Sequence, residues 1–94
     1  MEPYRPQPID TSGADLGELQ PRLEELARNA HEGWARERMN AGWGWGAARS
    51  DTEKHHPSLV AYEDLPESEK DYDRAVVAET LKTVIALGYR ISRG

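Results

Sequence analysis

The chain has no cysteine and no phenylalanine. The first absence removes disulfides, thiolate zinc sites and cysteine nucleophiles together, and it suits a reducing, cytoplasmic setting. The second leaves three Trp and four Tyr to supply the aromatic bulk of a core, each ring burying about 150–250 Å² when enclosed. Long apolar runs are also missing. Nothing approaches the ~20 residues that span a bilayer, and the N-terminal MEPYRPQPID lacks the apolar centre of a signal peptide. Hydrophobic residues make up only 37% of the 94, and 31% are charged. A chain of this length buries roughly 60–65% of its unfolded surface, enough for one modest core. The expectation is one small, soluble, cytoplasmic domain with no membrane partner.

The net charge is −5, which argues against general nucleic-acid binding. Its distribution is uneven. Residues 57–73 carry Glu63, Asp64, Glu67, Glu69, Asp71 and Asp73 against Lys70 alone. Residues 31–56 balance four acids against Arg36, Arg38, Arg49 and Lys54, and hold all three His and all three Trp. A polar, aromatic, locally cationic middle stands out from an acidic chain.

Prolines 6 and 8 force residues 4–12, YRPQPIDTS, toward an extended arm. A first helix over about 20–40 is predicted from Pro21 in its first turn and Gly42 beyond its end. Leu23, Leu26, Ala27, Ala30 and Trp34 recur at helical spacing as its apolar stripe. A second helix over about 67–87 starts after Leu65-Pro66, carries Tyr72, Val76, Val77, Leu81, Val84 and Ile85, and stops at Gly88. Tyr89-Arg90-Ile91 reads as a short strand able to pair with the arm. Between the helices, residues 42–66 form a loop longer than compact domains usually tolerate without a function. Trp43, Trp45, Leu59, Val60 and Tyr62 can anchor it, so an ordered loop is expected, with one of its two indoles in the core. The fold class is mainly α: two antiparallel helices joined by a long ordered loop, with short terminal strands or extended arms.

The sharpest local pattern is NAHEGWARER, residues 29–38. On a helix His31, Trp34 and Arg38 share one face. An aromatic plane, an imidazole and a guanidinium so placed can stack a flat ring and pair with a phosphate or carboxylate. The same residues also fit a plain scaffold, with Trp34 in the core, His31 bonding at the helix surface and Arg38 solvated. GWGWG at 42–46 is not a phosphate loop, because no Lys-Ser/Thr follows it. Its indoles either pin the loop or build an aromatic wall, with Arg49 and Lys54 within reach. His55-His56-Pro57 is a poor metal site, since adjacent side chains rarely converge on one ion; His56 reads as a turn residue with a backbone hydrogen bond. The acids opening the second helix read as solvated partners of its dipole. No nucleophile–base arrangement is identifiable, and a chain this short has little room to enclose one. The reading is therefore not an enzyme, with no metal and no cofactor.

Taken in order, YRPQPIDTS (4–12), LEELARNAHEGWARERMNAGWGWG (23–46), KHHPSLVAYEDLP (54–66) and EKDYDRAVVAETLKTVIALGYRI (69–91) resemble the ryanodine-receptor repeat, or RyR domain. The chain is similar to a stand-alone, single-repeat member of prokaryotic or phage type. That resemblance implies two helices with short strands, and a non-catalytic module for a nucleotide or nucleotide-derived ligand. It implies His31, Trp34 and Arg38 of the NxHExWxxxR motif as ligand-facing residues, with Trp43 and Arg49 as further candidates. Receptor channels carry the domain in tandem pairs, so a single repeat raises the expectation of a homodimer in place of the pair. The alternative is a protein-interaction or self-assembly module that uses the same Trp/Arg surface.

Overall fold

A computed structural model describes residues 2–94. A 3-10 segment at Gly17–Arg22 leads directly into α1, Leu23–Asn40. Pro21 lies inside the 3-10 segment, where a missing N–H costs little. α1 stops at Gly42, whose φ of +92° is open to glycine. There Gly42 N–H donates to Met39 O at 3.0 Å and Trp43 N–H to Arg38 O at 2.9 Å, so the last carbonyls are satisfied from beyond the helix. α2, Glu67–Ala86, begins after Pro66 and ends in the same way. Gly88, at φ +101°, donates to Ile85 O at 2.9 Å and Tyr89 N–H to Val84 O at 3.3 Å.

The helices run antiparallel. Thr11 Oγ1 donates to Glu79, and Arg74 pairs with Glu24, while Trp34, further along α1, lies beside Glu69 and Asp73, earlier on α2. Between them the loop carries β1, Gly44–Trp45, and β2, His55–His56. They pair parallel, Gly44 with His55 and Trp45 with His56. A one-turn 3-10 segment at Tyr62–Asp64 then closes on α1. The sheet thus lies inside the loop, not at the termini. Residues 89–91 form no strand, and the arm at 4–12 is irregular and largely exposed. Pro6 and Pro8 have no N–H to give a ladder, so that arm is a poor edge for pairing.

The core is small. Ala27, Tyr62 and Leu65 are buried together, with Val60 and Val77 packed against them, and Leu16 is buried under the start of α1. Tyr62, from the loop, is the largest enclosed side chain. Leu26 and Leu81 are only half-buried, and Ala30 is exposed. The buried stripe of α1 runs instead through Ala27 and His31. α2 buries no residue fully, because only one side of it meets α1 and the loop; Tyr72 and Val76 remain exposed. Trp45 is exposed as well, so neither indole of the glycine–tryptophan run is core, though Trp43 is half-buried. The radius of gyration is 16.4 Å, against about 12 Å for a typical domain of this length. Among the described residues no helix is long and apolar enough to cross a membrane.

Candidate functional site

The last three turns of α1 present His31, Trp34 and Arg38 on one face, and the loop folds back over them. His31 is buried, and its Nε2–H donates to Val60 O at 2.7 Å. Its ring lies between the core and the surface, with Tyr62 at 6.2 Å and Trp34 at 5.6 Å between centroids. His31 therefore fixes both the loop and the indole next to it.

Trp34 meets His56 edge-on at 5.0 Å, and His56 reaches Trp43 at 6.4 Å. His56 Nδ1 accepts the Ser58 N–H at 3.0 Å, the local turn expected before Pro57, and this leaves the ring's proton on Nε2. Burial, then Arg49 and Arg38, hold this imidazole below its ordinary pKa, so it stays neutral near pH 7.

Arg38 sits between the two indoles. Its guanidinium carbon is 4.9 Å from the Trp43 ring and 5.7 Å from that of Trp34, within cation–π range of both. Arg49 flanks Trp43 at 6.0 Å and pairs with Asp51 at 2.9 Å. Among the described residues Arg38 has no carboxylate partner. Of the two cations, Arg38 keeps its full charge available to an anion. Lys54 is turned elsewhere: its Nζ donates to Ala41 O at 2.9 Å and so caps α1.

All five residues singled out in the sequence (His31, Trp34, Arg38, Trp43 and Arg49) thus meet in one cluster. Sequence reasoning missed the other side of Trp34. There a cleft of about 360 Å³ opens between α1, the loop and α2, within the usual range for small-molecule sites. Its apolar and aromatic lining is Trp34, His56, Leu65 and Tyr72; Glu69 and Asp73 line it with Ser58 and Ser68. Ser58 Oγ donates to Glu69 at 3.0 and 3.1 Å. Asp73 is raised above the ordinary carboxylate range, chiefly by burial, with Glu69 adding to the effect and His31 opposing it. The acids at the start of α2 are therefore not all solvated dipole partners. The signal that could have found them is the spacing of Glu69 and Asp73, four apart on one helix face. A larger recess of about 550 Å³ lies between the first 3-10 segment and Ile91–Arg93. No aromatic ring lines it, so it offers nothing to stack a base.

Fold and cluster together define a small, mainly α domain whose loop docks an aromatic–guanidinium patch onto the end of one helix. Residues 4–93 match the family model of the RyR domain, and the chain belongs to that family.

Proposed function

We propose that this RyR domain is a non-catalytic module that binds a small nucleotide-like ligand at the Trp34–Arg38 cluster. The observation that supports this best is Arg38: a guanidinium set between two indoles with no carboxylate partner among the described residues. In this reading Trp34 stacks the base. Arg38 pairs with phosphate, and Arg49 adds charge at the cost of competing with Asp51. Trp43 forms the outer wall. His31 acts by holding Trp34 and the Val60 segment in place, because its Nε2–H is committed to the backbone.

A second reading, an interaction or self-assembly module, is favoured by the exposure of Trp45 and Tyr72, at 59% and 70%. Two copies could then replace the tandem pair of larger relatives, with the pocket at their seam.

Calorimetric titration of the pure protein with nucleotides at low salt tests the first reading. Saturable binding that is lost in Trp34→Ala and Arg38→Ala, with both variants folded, supports it. No binding across the panel, with concentration-dependent self-association by sedimentation, favours the second. Turnover of a nucleotide by pure protein would overturn the non-catalytic assignment.

A further inference from the structure

We infer that the acid-lined cleft beside Trp34 selects a purine that presents two adjacent donors, as guanine does with N1–H and its 2-amino group, over adenine. This deepens the nucleotide reading above and rests on it.

The lining of the cleft sets what it can hold. Trp34, His56 and Tyr72 supply aromatic surface, and no Lys or Arg lines it. Its charged groups are two carboxylates, Glu69 and Asp73. Glu69 already accepts the Ser58 hydroxyl. Asp73 has no hydrogen bond or ion pair among the described residues, although it is half-buried. A partly desolvated carboxylate with open acceptor sites is costly unless a donor reaches it.

An ionised carboxylate only accepts hydrogen bonds. Guanine offers it N1–H and the 2-amino group side by side, a fork that matches two carboxylate oxygens. Adenine offers one amino group next to N1, itself an acceptor, which faces the carboxylate with a repelling lone pair. Hypoxanthine keeps N1–H but lacks the 2-amino group, and falls between them.

A simple organic cation would also suit two acids and three aromatic rings. Arg38 weighs against it. The guanidinium lies 5.7 Å from the Trp34 ring that also lines the cleft. A ligand extending past that indole meets this cation, which favours a negatively charged group there and disfavours a cation. A base with two adjacent donors, joined to a phosphate, satisfies both sides of Trp34 at once.

The test compares the 5′-monophosphates GMP, IMP and AMP by calorimetry on the wild-type protein, and then on Asp73→Asn and Arg38→Ala. A carboxylate–guanine fork is worth about tenfold or more in affinity, so the expected order is GMP, then IMP, then AMP. Asp73→Asn should abolish most of the GMP advantage, whereas Arg38→Ala should weaken all three alike. Binding of AMP as tight as GMP, or a preference untouched in folded Asp73→Asn, overturns the guanine assignment and leaves the nucleotide reading standing. Binding of none of the three removes both. The wild-type series needs no variant to fold, so the base preference is measurable on its own.

Discussion

Trp43 and Arg38 are joined twice. The Trp43 N–H donates to the Arg38 carbonyl at 2.9 Å, and the Arg38 guanidinium lies 4.9 Å from the Trp43 ring. The first contact ends α1, and the second builds the cationic side of the cluster, so helix termination and site geometry depend on one turn.

That turn depends on Gly42. At φ +92° any L side chain is strained, by about 1–2 kcal/mol. Gly42→Ala should lower the thermal midpoint accordingly and change the tryptophan emission as Trp43 shifts. Equal midpoint and emission in the variant would show that the turn relaxes without disturbing the cluster. Gly88→Ala, at φ +101°, should cost about as much stability by the same strain with no change in emission.

Gly46 is needed for a different reason. A Cβ there would lie 2.5 Å from His55 Cβ and 2.8 Å from Cγ, so the loop cannot close past it. Gly46→Ala should destabilise by about 1–3 kcal/mol, the usual cost of overpacking. Gly44→Ala is the control, because its Cβ would meet nothing within 4 Å. Chemical denaturation of both variants checks this: equal midpoints would mean that the loop has room to move.

Tyr62 is enclosed, yet among the described residues its hydroxyl has no hydrogen-bond partner at ordinary length. The Glu24–Arg74 pair lies near it, and burial, then Glu24, raise the phenol above its ordinary pKa. Removing a buried, unpaired hydroxyl is neutral to stabilising, within about 1 kcal/mol. Tyr62→Phe should therefore melt at or above the wild-type temperature. A clear fall would reveal that Oη makes a hydrogen bond worth keeping, with Glu24 the nearest acceptor.

Acid sensitivity should follow the ion pairs. Hydrogen bonding from Arg74 holds Glu24 below the ordinary glutamate range, and hydrogen bonding from backbone and Arg28 does the same for Glu63. A carboxylate lowered in the folded state contributes stability above its unfolded pKa, and that contribution is lost as the pH falls through the lowered value. Asp73 has the opposite sign: its raised pKa makes the ionised form unfavourable to folding at neutral pH, a penalty relieved on acidification. Melting curves from pH 7 to pH 3 should show a smaller acid-side loss in Glu24→Gln than in wild type. At pH 7, Asp73→Asn should be at least as stable as wild type. An identical acid profile in Glu24→Gln would remove the Arg74 pair from the account.

Whatever depends on near neighbours was legible along the chain alone. Pro66, Gly42 and Gly88 set helix boundaries through backbone conformations that only a few residues on either side must satisfy. The spacing of His31, Trp34 and Arg38 put them on one face before any packing was known, and the order of motifs along the chain carried the RyR family. The rest came from packing. Which side of α1 is enclosed depended on where Tyr62 docks, and this turned His31 inward and left Ala30 outside. The parallel pairing of β1 with β2 brought His56 against Trp34, a contact between residues 22 positions apart. The packing of α2 turned Glu69 and Asp73 toward the same indole. Such contacts follow from how half-apolar surfaces fit together in three dimensions, and a pattern read along one chain holds no distance between them.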